Sequence, residues 1–172
     1  MGGLRRLFNF MDIRVERMRA VDVAALVDAF VMAWGKPPEQ YARYWDENEA
    51  GTRITVIAWV RTERGDELAG YGNLLWKSDY PPFIEADIPE INDLNTLVAF
   101  RNRGAASAII HECERIAAEH GKPIMGIGVG QTEDYANAQR LYPKLDYEYD
   151  GRGLRETLWG DVLYLTKRLQ PA

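Results

Sequence analysis

The amino-acid sequence predicts a mixed α/β domain, and three observations support this prediction. Strand-like and helix-like patterns follow one another in the order β-α-α-β-β-β-α-β-α-β-β. The composition is typical of a globular protein, with 47% hydrophobic and 27% charged residues. The 172 residues suit one domain, and neither a repeat nor a linker interrupts them. We therefore predict a single domain over 11–172, preceded by a short N-terminal extension at 1–10.

The composition also limits the classes of function. A formal net charge of −5 argues against a protein that coats nucleic acids. The single cysteine, Cys113, has no partner for an internal disulfide bond, and with only two histidines a metal site is not expected. The apolar runs are far shorter than the about 20 residues that cross a bilayer. We expect a cytoplasmic protein with no metal and with neither nucleic acid nor membrane as a partner.

The N-terminal third of the chain predicts one strand and two helices. Apolar and charged residues alternate over 13–17, as in a short strand. Asp22 is predicted to cap a first helix that ends at Gly35. A second helix is predicted between Pro37 and Gly51, since proline suits the first turn of a helix. The apolar face of the first helix comprises Val23, Leu26, Val27, Phe30 and Trp34.

The middle of the chain predicts a hairpin and a further strand. Segments 54–61 and 70–76 are rich in β-branched, aromatic or apolar residues, and the polar stretch 63–67 between them contains glycine. Three prolines and several acids predict a loop over 78–89. The fourth strand is predicted over 91–98.

The C-terminal half contains the clearest helix, at 103–120, because its apolar residues all fall on one face. A short strand is predicted at 124–130, followed by a helix that Asp134 is predicted to cap and that runs to about Leu145. The last two strands are predicted at 147–150 and 162–169, with a glycine-rich loop between them.

The junction between the fourth strand and the long helix carries the main functional signal. Gly104, Ala105 and Ala106 stand in the first turn, where larger side chains would obstruct an approaching ligand. Unpaired N–H groups and the positive end of the dipole make a helix N-terminus an anion site, and Arg101 and Arg103 add charge. This pattern indicates a phosphate-bearing ligand; the alternative is a tight turn whose small residues only permit packing against the sheet.

Other phosphate-binding patterns are missing from the sequence. Neither a G-x-x-x-x-G-K-[ST] loop nor a G-x-G-x-x-G turn after a strand is present. The alternating glycines Gly126, Gly128 and Gly130 have a different spacing and lie in a predicted strand. They allow another backbone or a ligand to approach closely, although tight packing explains them equally well.

Two segments resemble the GNAT superfamily of N-acetyltransferases. Arg101-x-x-Gly104-x-Ala106 is similar to its [Q/R]-x-x-G-x-[G/A] signature, which follows strand four and opens a helix. The segment 138–147 is similar to the family's A-x-x-L-Y-x-x-L-G-F block and lies about forty residues further along, in the expected order. The segment 88–91 and the pair Asp134-Tyr135 most resemble those of an uncharacterised bacterial group within the superfamily.

This resemblance implies a fold and a co-substrate. The fold is a three-layer α/β/α arrangement with a mixed, mostly antiparallel sheet that splays between strands 4 and 5. Acetyl-CoA is the implied co-substrate, its pyrophosphate held by the backbone of 102–107 and its pantetheine arm paired with 94–96. Tyr135 stands where many members have an asparagine that contacts the cofactor. The implied cofactor-binding residues are Leu94, Asn95, Thr96, Arg101, Asn102, Arg103, Gly104, Ala105, Ala106, Ser107 and Tyr135.

The resemblance also implies catalytic roles. Tyr142 matches the general-acid tyrosine that protonates the departing thiolate; the alternative is a core tyrosine on the inner face of its helix. Glu90 and then Asp93, expected on the opposite face of the strand, are candidates for the general base, while ordered water or a merely solvated carboxylate is the alternative. A backbone N–H in the region of Leu97 and Val98 is expected to polarise the thioester carbonyl.

The acceptor is expected to be a primary amine of a small molecule or a peptide. The predicted cleft is lined by Trp34, Tyr41, Trp45, Trp76, Tyr80 and Phe83, although core packing is the alternative for each. Glu85, Asp87 and Glu90 near such a cleft suit a cationic amine. A homodimer is possible for this superfamily. A module that binds acyl-CoA without turnover is the alternative to an enzyme.

Overall fold

The computed structural model describes residues 12–171, so the predicted extension at 1–10 lies outside the described residues. The described part has one mixed sheet in the order β1-β2-β3-β4-β5-β8-β6, and β7 pairs with β8. The strands are β1 (Ile13–Arg17), β2 (Arg53–Thr62), β3 (Gly65–Leu75), β4 (Glu90–Thr96), β5 (Ile124–Gly130), β6 (Glu148–Tyr149), β7 (Arg155–Thr157) and β8 (Gly160–Arg168). The helices are α1 (Asp22–Trp34), α2 (Glu39–Glu49), α3 (Pro81–Glu85), α4 (Ala105–Glu119) and α5 (Ala136–Lys144).

The sheet has helices on both faces, which confirms the predicted three-layer α/β/α fold. On one face, α4 packs its apolar side against the sheet, with Ile109, Ile110 and Ile116 fully buried. On the other face, α1 and α2 cover a second cluster that includes Phe30 and Tyr71. Each helix buries only one stripe of its surface, so each needs the sheet to cover that stripe.

Helix α1 ends as predicted but starts differently. Gly35 has φ 63° and donates its N–H to Val31 O at 2.9 Å, a left-handed C-terminal cap that glycine adopts without steric cost. The prediction that Asp22 is the capping residue is wrong. Asp22 is already the first helical residue, and its carboxylate turns back to accept the N–H of Arg19 at 2.8 Å. It therefore stabilises the turn that leads into the helix.

The central feature of the sheet is a split between β4 and β5. These strands run parallel and pair only at Glu90 with Gly126 and at Ile91 with Ile127. Beyond Ile91, β4 remains paired with β3, while β5 remains paired with β8 along its whole length. The two facing edges therefore diverge, as the predicted fold requires.

The element boundaries differ from the sequence-based prediction in a few places. Strand β4 stops at Thr96 because Val98–Phe100 form a 3-10 turn. The predicted loop at 78–89 contains α3, which starts at Pro81. The glycine-rich loop before β8 contains β7, so β7 and β8 form a hairpin. Within residues 12–171, no helix is long and apolar enough to cross a membrane.

Candidate active site

The predicted anion cradle lies where β4 leads into α4. After the 3-10 turn, Asn102 has φ 57° and Gly104 has φ 93°, and the helix begins at Ala105, two residues later than predicted. No side chain of residues 12–171 caps this end of α4, so within that range its first-turn N–H groups remain available to a ligand. Arg101 Nε lies 3.4 Å from Thr96 O, which places its side chain beside the end of β4. An anion bound here would meet backbone donors and the positive end of the helix dipole.

The split edge of β4 leads directly to this cradle. The residues predicted to pair with the pantetheine arm, 94–96, lie beyond the last residue of β4 that pairs with β5. Leu94 turns its side chain toward α4, as shown by its packing against the cluster there. Because none of the described strands pairs with this edge beyond Ile91, an amide-bearing arm can add to it as a further strand would. The open edge at 94–96 and the helix N-terminus after it therefore fit acetyl-CoA, the implied co-substrate.

The three glycines of β5 make room for aromatic rings. A Cβ on Gly126 would overlap the ring of Phe83, and one on Gly130 would overlap Tyr135. A Cβ on Gly128 would lie 3.1 Å from Tyr164 Cε1. The tight-packing interpretation of this strand therefore holds at these positions. Tyr135 covers the end of β5 beside the split, with 43% of its surface exposed.

Tyr142 projects from α5 into the protein and is 5% exposed. Burial, together with the nearby Tyr135, raises the pKa of its phenol, so it carries its proton at neutral pH. Its hydroxyl makes no hydrogen bond within the described part of the chain. The raised pKa makes this phenol a weaker acid than an exposed tyrosine, and its ring packs in the core cluster with Ile109, so its role as general acid stays a prediction.

Glu90 is one of the two residues of β4 that pair with β5. It is 5% exposed, and Ser78 Oγ donates a hydrogen bond to its Oε2. Burial raises the pKa of Glu90, and the hydrogen bonds from Ser78 and Asn92 oppose this only in part. A carboxylate with a raised pKa accepts a proton more readily near neutral pH than an exposed one.

The raised pKa of Glu90 predicts a pH-dependent change in stability. The pKa of Glu90 is higher in the folded protein than in the unfolded chain. Protonated Glu90 therefore stabilises the fold at low pH, and this stabilisation is lost as the pH rises through the folded pKa. We expect Glu90→Gln to raise the free energy of unfolding at pH 7 by about 1 kcal/mol. The gain should shrink toward acidic pH. Denaturant titrations from pH 4 to 8 measure it, with the exposed Glu85→Gln as control. A gain that does not change with pH would contradict this account.

Asp93 lies in a different environment, because four groups donate to its carboxylate. Tyr44 Oη and Tyr71 Oη each lie 2.8 Å from Oδ2. Asn95 Nδ2 lies 2.8 Å from Oδ1, and Lys36 Nζ forms an ion pair with the same oxygen. Burial alone would raise the pKa of Asp93, but the ammonium of Lys36 and the hydroxyl donors lower it. Asp93 is therefore held as an anion and is a weak base.

A bulge in β4 places both carboxylates on one side of the sheet. Asn92 pairs with Asn73 and Asn95 pairs with Tyr71, so two residues of β4 lie opposite one of β3, and Asp93 takes φ 50°. Asp93 contacts Tyr44 of α2, on the face opposite α4. Glu90 shares this face, since it alternates with the core residue Ile91. The prediction that Asp93 lies on the opposite face is wrong, because it assumed an unbroken strand.

The structure corrects the predicted donor to the carbonyl. Leu97 N–H donates to Ala69 O at 2.8 Å and so is occupied within the sheet. The prediction that the Leu97 region polarises the thioester is therefore wrong for this residue. Strand β4 stays paired with β3 up to Thr96, and the bond of Leu97 continues that pairing by one residue.

The predicted aromatic residues do not share one cleft. The side chain of Trp34 lies outside the described residues. Tyr41 and Trp45 pack in the cluster under α1 and α2, whereas Trp76 packs on the ring of His120, 4.7 Å between centroids. Tyr80 and Phe83 pack together beside β5. The aromatic residues that were predicted to line one cleft therefore lie in different parts of the sheet.

The predicted acids are also separated. Asp87 pairs with Lys122 at the surface and Glu85 is exposed, so Glu90 alone of the three lies buried in the sheet. The sequence analysis missed Lys36, Tyr44 and Tyr71 as partners of Asp93. They come from distant parts of the chain, and no local spacing links them.

The split sheet and the uncapped helix after it define a fold that can bind an acyl-CoA. The model of the Acetyltransferase (GNAT) family matches residues 23–147. The chain belongs to this family, which confirms the predicted family and enzyme class. As an N-acetyltransferase of this family, it uses acetyl-CoA as its co-substrate.

Solved structures share the fold at low sequence identity. An N-acetyltransferase from Staphylococcus aureus Mu50 is 13% identical with a TM-score of 0.70, covering 92% of this chain and 99% of its own. A ribosomal-protein-alanine N-acetyltransferase from Brucella melitensis is 16% identical with a TM-score of 0.68, covering 91% and 99%. An aminoglycoside 6'-N-acetyltransferase complexed with coenzyme A is 18% identical with a TM-score of 0.66, covering 92% and 98%. No curated protein sequence matches the chain significantly.

Proposed function

We propose that this protein transfers the acetyl group of acetyl-CoA to a primary amine by direct attack of the amine on the thioester. The observation that carries the proposal is the split edge of β4, which leads to the uncapped N-terminus of α4. Two structurally similar proteins are described as acting on amines, one of a ribosomal protein alanine and one of an aminoglycoside. This supports an amine acceptor without selecting one.

The direction of the bound co-substrate follows from the two binding segments. Its pyrophosphate meets the backbone of 102–107 with Arg101 beside it, and its pantetheine arm follows 94–96 back along β4. The thioester end therefore points toward Asp93 and Asn92, away from the helix. Tyr135 and Tyr142, from the segment after β5, belong to the opposite wall of the split.

Two residues near the thioester end carry out the proton transfers, Tyr142 as the acid and Glu90 as the base. The attacking amine forms a C–N bond as the C–S bond breaks, and the thiolate takes a proton, which Tyr142 supplies. The amine gives up its proton to Glu90, directly or through water, because burial makes Glu90 the stronger base of the two carboxylates. Asp93 keeps its negative charge and serves to bind a cation.

Release of CoA thiol tests this proposal directly. The protein is incubated with acetyl-CoA and a panel of amines that includes n-butylamine, 1,4-diaminobutane, an aminoglycoside and an alanine-terminated peptide. We expect at least one amine to accelerate thiol release well above hydrolysis, with an acetylated product of matching mass. Binding of acetyl-CoA without amine-dependent release across the panel would instead support the module that binds without turnover.

A further inference from the structure

Lys36 lies in the short connection between α1 and α2, and its side chain reaches the functional end of β4. Its Nζ pairs with Asp93 Oδ1 and donates to Tyr71 Oη at 2.9 Å. The same ammonium lies 5.5 Å from the centroid of the Tyr71 ring. Both partners of the ion pair have side chains 20% exposed, so the pair is partly accessible from solvent. A primary alkylammonium from the chain itself thus fills a carboxylate site beside the expected thioester.

This occupant can leave without breaking the elements on either side of it. Helix α1 is closed by the bond from Gly35 N to Val31 O, and α2 is opened by the bond from Gln40 N to Pro37 O at 3.0 Å. The hydrogen bonds that the structure gives for Lys36 are made by its side chain. Displacing the ammonium therefore exchanges one cation for another at Asp93.

The carboxylate stays prepared for a cation after Lys36 leaves. Tyr44 and Tyr71 still donate to Oδ2, and Asn95 still donates to Oδ1. These three neutral donors favour the charged form of Asp93, and an incoming ammonium replaces the charge of Lys36, which lowers the pKa of Asp93 more than they do. The vacated position is next to Asp93 Oδ1 and the hydroxyl of Tyr71. It offers a negative charge and a hydroxyl acceptor to an ammonium of the same size.

An ammonium held here keeps its proton, because it pairs with a carboxylate that already accepts hydrogen bonds from Tyr44, Tyr71 and Asn95 and is therefore a weak base. The nitrogen bound at Asp93 is therefore different from the nitrogen that attacks the thioester. We propose that the acceptor is a diamine or polyamine, one ammonium of which displaces Lys36 from Asp93 while a second amine is acetylated. This inference rests on the proposed function, and it makes Lys36 an internal competitor of the acceptor.

Two acceptors and one substitution test the proposal. The acceptors are 1,4-diaminobutane and n-butylamine, which share a chain length and differ in the second ammonium. We expect kcat/KM to be at least about tenfold higher for the diamine. Lys36→Met removes the competitor, and it should raise the ratio of the two kcat/KM values by about three- to tenfold through a lower KM for the diamine. Calorimetric titration of diaminobutane into the CoA-bound protein should show the same gain without turnover.

The matched control is Lys122→Met, which also removes a paired lysine of similar exposure (19%), but one whose partner is the exposed Asp87. It should leave the ratio at the wild-type value. Asp93→Asn should bring the ratio to about one, and if it does not fold, the Lys36→Met titration alone decides. A diamine affinity that is unchanged or weaker in Lys36→Met overturns the inference. Equal acetylation of both amines by the wild type overturns the inference alone, whereas acetylation of no amine overturns the proposed function.

Discussion

Tyr142→Phe is expected to lower kcat by about a hundredfold or more, with little change in the affinity for acetyl-CoA. The variant loses the proton that the thiolate needs on leaving, and a positioned general acid contributes about 10²- to 10⁴-fold. The ring keeps its place, and the hydroxyl has no hydrogen bond to lose within residues 12–171. Stopped assays of thiol release and calorimetric titration of CoA measure the two quantities separately.

The matched control for this variant is Tyr147→Phe. Tyr147 is also buried, and its ring centroid lies 6.3 Å from that of Tyr142. Its hydroxyl donates to Glu114 of α4 at 2.9 Å, and Lys167 of β8 contacts the same carboxylate. The control should lose about 1 kcal/mol of unfolding free energy and retain its activity. If Tyr142→Phe keeps kcat within about threefold of the wild type, another group protonates the thiolate.

Gly104→Val is expected to weaken CoA binding by about tenfold or more. Gly104 has φ 93° directly before the first turn of α4, a conformation that a β-branched residue adopts only with strain. The strain is relieved by moving the backbone, which displaces the N–H groups of 105–107 from the pyrophosphate. Calorimetric titration of CoA measures the affinity, and thermal unfolding measures the accompanying loss of stability.

Gly121→Val separates backbone strain from binding. Gly121 follows the other end of α4, has φ 73°, and has nothing within 4 Å of the position of a Cβ. It should lose a similar 1–2 kcal/mol of stability, by order of magnitude, and keep its affinity for CoA. Equal affinities in the two variants would show that the N-terminus of α4 does not hold the pyrophosphate.

The parts of the fold that were predicted well depend on short stretches of sequence. The apolar face of α4 recurs at helical spacing, so Ile109, Ile110 and Ile116 were assigned to the core before the sheet was known. Gly35 marks the end of α1 because its backbone conformation is a local property. Residue type and spacing are sufficient in such cases, since the interacting groups lie within a few positions of each other.

The acceptor side of the site could not be predicted in the same way. Trp76 and Phe83 were grouped because aromatic residues often line clefts, but one packs on His120 and the other on Gly126. The bulge at Asp93 is also invisible to a pattern with a period of two, so its face was assigned wrongly. Both errors arise because the sequence does not state which distant residues become neighbours.

The sequence by itself determined the family, and it predicted where the anion cradle lies. The segment from Arg101 to Ala106 and the block at 138–147 are both continuous, and a helix N-terminus binds anions through its own backbone. Only the tertiary structure decided which carboxylate has a lowered pKa and which has a raised one. The pKa of Asp93 depends on Lys36, Tyr44 and Tyr71, while that of Glu90 depends on burial between two strands. Ionisation depends on charge, burial and hydrogen bonds within a few ångströms, and folding creates that environment from residues far apart in the chain.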